Sequence, residues 1–136
     1  MNEMWEELLP TEGEVVVIEG DPTLRALMKE VLVEAGLKSS IFETPETALA
    51  HLLRLDGECP LVIVDYALRG DIRGTDFIEM IRGKWPAIAV ILTSGQLLHP
   101  AMLPPSTIYV FKPWSLDDLL CSIAMLIRPG HFIRKV

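Results

Sequence analysis

Four aliphatic runs punctuate the chain, and each stops at a polar cluster. Val15-Val16-Val17-Ile18 ends at Glu19-Gly20-Asp21, and Leu61-Val62-Ile63-Val64 ends at Asp65. Ile88-Ala89-Val90-Ile91-Leu92 ends at Thr93-Ser94-Gly95, and Thr107-Ile108-Tyr109-Val110-Phe111 ends at Lys112-Pro113. Runs without polar alternation predict strands buried on both faces, which suits a parallel sheet. The strands are expected at 14–19, 61–65, 88–93 and 107–111, with a weaker edge strand at 37–42.

Helical spacing fills the intervals. Asp21-Pro22 reads as N-cap and first helical residue, with Leu24, Leu27, Met28, Val31 and Leu32 following and Gly36 ending the helix. Thr44-Pro45 opens a second helix, with Ala48, Leu49, Leu52 and Leu53 as its inner face and Asp56-Gly57 closing it. A third carries Phe77, Ile78 and Ile81 inward and stops near Gly83, after a 66–75 loop containing Gly70 and Gly74. Pro100, Pro104 and Pro105 predict that any helix in 96–106 is short or broken. Ser115-Leu116-Asp117-Asp118 resembles a capping box opening a last helix to Ile127, which Arg128-Pro129-Gly130 stops. Strands alternating with helices predict an α/β fold: a doubly wound, five-stranded parallel sheet with helices on both faces. The division expected is an extension at 1–13, a domain at 14–127 and a tail at 128–136, with Trp5, Leu8 and Leu9 packing on the domain or on a partner.

Length and charge then narrow the classes. A chain of 136 residues fits one domain, and half of them are hydrophobic. A net charge of -7 argues against nonspecific nucleic-acid binding, which needs compensating cations, and no basic run suggests a direct one. No apolar stretch is long enough to span a bilayer, and the N-terminus is acidic, unlike a signal peptide; a cytoplasmic location is expected. Cys59 and Cys121 lack metal-ligand spacing and read as small buried or half-buried residues.

In parallel sheets the carboxyl ends of the strands share one edge, where sites form. Glu19, Asp65, Thr93 and Lys112 are therefore expected to converge there. An aspartate carboxylate can attack phosphorus to form an acyl phosphate. A divalent cation offsets charge on the transferring oxygens, and magnesium takes one or two carboxylates while keeping waters. Glu19 and Asp65 could supply those carboxylates, Lys112 could pair with one phosphoryl oxygen, and Thr93 could hydrogen-bond another.

At these residues the chain resembles the response-regulator receiver domain of two-component signalling, over about 14–127. The quoted strand-one sequence is similar to that family's acidic pocket, and Leu-Val-Ile-Val-Asp65 to its phosphoacceptor strand. Ile-Leu-Thr93-Ser-Gly resembles the switch-hydroxyl strand, and Tyr109-Val-Phe-Lys112-Pro113 carries the aromatic switch residue and the lysine. The resemblance implies a flavodoxin-like receiver fold in which Asp65 takes phosphate from a sensor histidine kinase or phosphotransfer protein. It implies magnesium at Asp65, the acidic pocket and the Ala67 backbone carbonyl. Thr93 and Tyr109 would reorient on phosphorylation and alter the 96–127 face towards a downstream protein target. Such a protein is a phosphoacceptor that catalyses its own phosphorylation and dephosphorylation rather than a turnover enzyme, and is a monomer or weak homodimer. The placement of Gly74, with Trp85-Pro86 and Thr93-Ser94-Gly95, resembles a subgroup often linked to sensor histidine kinases.

Departures from the pattern matter. Gly20 stands where the family has its second acid, the usual direct metal ligand, so affinity should fall unless Glu19 or Asp21 reaches in. Arg69 replaces a usual proline. The rival reading is a degenerate receiver, the same fold acting as a phosphorylation-independent protein-interaction module. A haloacid dehalogenase-type hydrolase would want an acid at Ala67, which cannot transfer protons. A dinucleotide enzyme would want Gly-x-Gly-x-x-Gly after strand one, and a flavodoxin-like mononucleotide binder a phosphate loop; Glu19-Gly20-Asp21-Pro22 is neither.

Overall fold

Strand formation follows the aliphatic runs. In the computed structural model, which describes residues 13–68, 72–99, 101 and 103–127, five strands form: β1 (Val15–Ile18), β2 (Ser39–Phe42), β3 (Leu61–Asp65), β4 (Ala89–Ser94) and β5 (Thr107–Phe111). They pair parallel throughout in the order β2-β1-β3-β4-β5. The expectations for Trp5, Leu8, Leu9, Arg69, Gly70, Pro100 and Arg128-Pro129-Gly130 lie outside the described residues.

Four helices form among the described residues, three between strands and one after β5: α1 (Pro22–Glu34), α2 (Pro45–Arg54), α3 (Gly74–Lys84) and α4 (Leu116–Ile127). Three caps act as the sequence predicts. Asp21 accepts from the Thr23 and Leu24 amides at 2.8 and 3.2 Å, Thr44 from the Thr47 amide, and Ser115 Oγ from the Asp118 amide at 3.0 Å. Among the described residues of 95–106 no α-helix forms, so β4 is followed by an irregular connection.

The helices sit on both faces. Met28, Val31 and Leu32 of α1 and Leu119, Leu120 and Ile123 of α4 pack on Val15, Val17, Leu61, Ile63 and Ile91. Ala48 and Leu52 of α2 and Phe77, Ile78 and Ile81 of α3 pack on Val16, Ile18, Val62, Val64, Val90 and Leu92. Alternate residues of each central strand thus serve opposite cores, which is why those runs carry no polar position.

Two expectations need correcting. The 107–111 run is not buried on both faces: only Val110 is buried and Phe111 is 44% exposed, because β5 is an edge strand. The inner face of α2 is narrower than Ala48, Leu49, Leu52 and Leu53, since Leu53 is half exposed. A surface helix buries only one stripe, and Ala48 and Leu52, four apart, define it here. Cys59 is buried, Cys121 is half-buried, and neither is in a disulfide.

This layering predicts unequal responses to truncation. Phe77→Ala, at a fully buried site, lowers the unfolding free energy by roughly 3–5 kcal/mol in denaturant titrations. Met125→Ala, on the 64% exposed side of α4, changes it by less than about 0.5 kcal/mol.

Candidate functional site

The register of the sheet places polar residues at one edge. Asp65 is the last residue of β3 and pairs with Thr93 of β4, while Glu19 follows the end of β1. Glu19, Asp65 and Thr93 are buried, with 3%, 6% and 2% of their surface exposed. Lys112 follows β5, its backbone amide donating to the Ser94 carbonyl at 2.8 Å. Its ammonium donates to Glu19 Oε1 at 2.6 Å and lies 3.3 Å from Asp65 Oδ2. The four residues that sequence reasoning grouped thus come to one edge, with the lysine between the two carboxylates.

Each carboxylate has a backbone partner as well. Glu19 Oε2 accepts from the Asp21 amide at 3.1 Å, and Asp65 Oδ1 accepts from the Ala67 amide at 3.4 Å. Gly74, the first residue of α3, packs on the loop behind Asp65: a Cβ there would lie 2.4 Å from the Asp65 carbonyl oxygen. Only a glycine permits that approach.

Burial raises the Asp65 carboxyl above the ordinary aspartate value of 3.8. The Glu19 charge adds to the rise, while the charge and hydrogen bond of Lys112 and the Ala67 amide oppose it. A carboxylate so placed is partly stripped of water and has an ammonium beside it to offset its charge.

Asp21, named with Glu19 as a candidate metal ligand, is exposed, and its Oδ1 serves as the α1 cap. Magnesium would therefore rest on Glu19, Asp65 and the Ala67 carbonyl. No group of three His, Cys, Asp or Glu suited to a metal occurs among the described residues. Two carboxylates still fit a hydrated magnesium, which needs no more than one or two. Nothing lies within 4 Å of where a Cβ at Gly20 would stand.

The aromatic candidate is tied into the next loop. Tyr109, half-buried on β5, donates its hydroxyl to the Gln96 carbonyl at 2.5 Å. Ser94 Oγ accepts from the Gln96 amide at 3.0 Å and donates to the same carbonyl at 3.2 Å. Gln96 therefore links the residue after Thr93 to Tyr109.

Sequence reasoning missed Arg25, whose guanidinium donates to the carbonyls of Glu19 and Gly20 at 3.0 and 2.9 Å. One signal existed: a cation in the first turn of a helix opposes the helix dipole, so its presence there asks for another reason. It also missed His51 of α2, which hydrogen-bonds Glu14 beside β1, with Arg54 3.4 Å from its other ring nitrogen.

Comparison with known proteins bears on the fold and the family. A family model of the response regulator receiver domain matches residues 15–124. A probable transcriptional regulatory protein of Picosynechococcus sp. is 24% identical over 136 residues, covering 93% of this chain and 54% of that protein. The chain thus spans about half the length of that relative. A response regulator receiver domain protein from Clostridium thermocellum superposes with a TM-score of 0.74 at 23% identity, over 85% of this chain and 94% of its own. The receiver domain of the hybrid histidine kinase CckA gives 0.74 at 20% identity, over 85% and 100%. The Vibrio cholerae chemotaxis protein CheY4 gives 0.72 at 16% identity, over 84% and 98%. At such identities the superpositions establish the fold, and the family match supplies the rest: this chain belongs to the response regulator receiver domain family.

Proposed function

We propose that the chain is a phosphoaccepting receiver, taking a phosphoryl group onto Asp65 from a phosphohistidine of a sensor histidine kinase or phosphotransfer protein. The receiver unit is taken as 14–127, with 1–13 and 128–136 flanking it. The observation that carries the reading is the buried Asp65 carboxylate lying 3.3 Å from the Lys112 ammonium at the carboxyl edge of the sheet. An Asp65 oxygen attacks phosphorus, an O–P bond forms as the N–P bond of the donor breaks, and the departing imidazole takes up a proton. Lys112 turns towards the phosphoryl oxygens and offsets their charge, and Thr93 offers a hydroxyl to another. Magnesium at Glu19, Asp65 and Ala67, when bound, supplies further charge neutralisation.

A surface beside the site supports docking of a donor protein. Leu24, Leu27, Pro113 and Trp114 line an apolar groove of about 290 Å³ that includes Lys112. Leu27 is 43% exposed although it falls in the apolar spacing of α1. Its side chain serves the groove instead of the core.

The second reading, a degenerate receiver working as a phosphorylation-independent interaction module, is favoured by Gly20 and by the hold of Lys112 on Glu19. Intact-mass measurement after treatment with a small acyl phosphate and magnesium separates the two. One added phosphoryl mass, absent in Asp65→Asn, is the expected result. An unmodified wild-type chain, or unchanged labelling of the variant, overturns the phosphoacceptor reading.

Gly20→Asp is expected to tighten magnesium binding about tenfold or more in calorimetric titration, by adding a direct carboxylate where space is open. Unchanged affinity would mean that the pocket is completed from elsewhere.

Stability of the metal-free chain should follow the raised Asp65 carboxyl. A raised acid favours the fold when protonated, so its contribution is fully present below the unfolded value and is lost as pH rises through the folded one. At neutral pH ionised Asp65 therefore opposes folding. Asp65→Asn raises the unfolding temperature at about pH 7 in chelator, and the gain vanishes as the pH falls below about 3. A gain that persists in acid would assign the effect to something other than this charge.

Phosphorylation is expected to change hydrogen exchange around Gln96 and Tyr109, since the new phosphoryl oxygens draw on Thr93 and Lys112 and both adjoin that linkage. Changes confined to residues 65–75 would mean that the site takes phosphate without transmitting it to the 96–127 face.

A further inference from the structure

Gly20 removes more than a ligand. A glycine between Glu19 and the α1 cap also gives the loop backbone freedom that a side chain at 20 would restrict. Glu19 nevertheless keeps one defined position, its carboxylate held by Lys112 and by the Asp21 amide. Those contacts fix the end of the side chain. The Glu19 amide donates to the Phe42 carbonyl at 3.0 Å, which ties its main chain to β2 and leaves the Glu19 and Gly20 carbonyls to be held from elsewhere.

Arg25 meets that need. It lies on the first turn of α1, half-buried, and one terminal nitrogen donates to the successive carbonyls of Glu19 and Gly20 at 3.0 and 2.9 Å. Bonds from a charged donor are stronger than neutral ones. One donor shared by two neighbouring carbonyls fixes their relative orientation, which is the freedom that glycine introduces. The helix that carries Arg25 is itself anchored to the same loop by the Asp21 cap and by the Arg25 amide, which donates to the Asp21 carbonyl at 2.9 Å.

We infer that Arg25 is a positioning residue for the acidic pocket, its guanidinium clamping the Glu19–Gly20 carbonyls so that Glu19 stays aimed at Lys112 and Asp65. Its guanidinium bonds go to the loop carbonyls and not to the Asp65 carboxylate; it acts through Glu19. Its importance is tied to glycine at position 20. A residue with a side chain there would restrict the loop by itself and would need the clamp less.

One arm of the test needs no metal and no phosphate. In the unliganded full-length chain, Arg25→Ala accelerates amide exchange at Gly20 and Asp21 about tenfold, the size expected for losing a charge-assisted bond, with β3 and β4 amides unchanged. Arg25→Lys restores part of that protection. Adding Gly20→Ala, for which the structure has room, recovers about two- to fivefold of it by restricting the loop directly. The other arm rests on the phosphoacceptor reading: Arg25→Ala raises the magnesium concentration needed for half-saturation about tenfold, and Gly20→Ala again recovers part. Unchanged exchange at Gly20 and Asp21 in Arg25→Ala overturns the inference, whatever happens to phosphorylation. Faster exchange across the whole sheet overturns it too, since Arg25 would then be a general stabiliser. Local loosening with no magnesium binding by any variant supports the clamp and counts against the magnesium-dependent reading alone.

Discussion

Everything at the carboxyl edge depends on one ammonium group held between two buried carboxylates. Glu19 and Asp65 are almost fully removed from solvent on adjacent strands, and their mutual repulsion helps to raise the Asp65 carboxyl. Such a pair is tolerable in a low-dielectric setting only if a cation sits beside both. Lys112 does so, at 2.6 Å from one and 3.3 Å from the other. The arrangement is asymmetric. The tighter contact goes to Glu19, and the looser one to Asp65.

The sheet order makes this possible. β1 and β3 are neighbours in the middle of the sheet, buried by helices on both faces, so their ends are fixed by the most densely packed part of the molecule. β5 lies at the edge, less buried and followed by the Lys112 turn. The acids thus come from the ends of central strands, and the cation that answers them follows an edge strand. Tyr109 lies on that same strand and is joined to the β4 loop through Gln96.

Gly20 gives this receiver its own character. The carboxyl edge holds Asp65, Thr93 and Lys112 together, while a glycine stands beside Glu19 in the turn into α1. Lys112 neutralises the carboxylates from above the sheet edge, and Arg25 holds the loop from the helix side without facing the acceptor.

The sequence by itself determined the layer structure, because burial on both faces erases polar alternation and leaves runs such as Leu61–Val64 with no other reading. It determined the helix starts at Asp21-Pro22, Thr44-Pro45 and Ser115, because capping is a local exchange between a side chain and amides two or three residues on. It also placed Glu19, Asp65, Thr93 and Lys112 together, because in a parallel sheet every strand end lies on the same edge. Tertiary structure alone decided what depends on neighbours distant in the chain. Lys112 chooses Glu19 over Asp65 across 93 residues, and no local pattern encodes that preference. Leu27 and Leu53 share the apolar spacing of their helices yet face outward, because a helix can bury only the stripe that meets the sheet. Phe111 is exposed because β5 has a neighbour on one side only. Arg25 looks like a surface cation in the sequence; its role appears only when the Glu19–Gly20 carbonyls are brought under its guanidinium by the turn from β1 into α1.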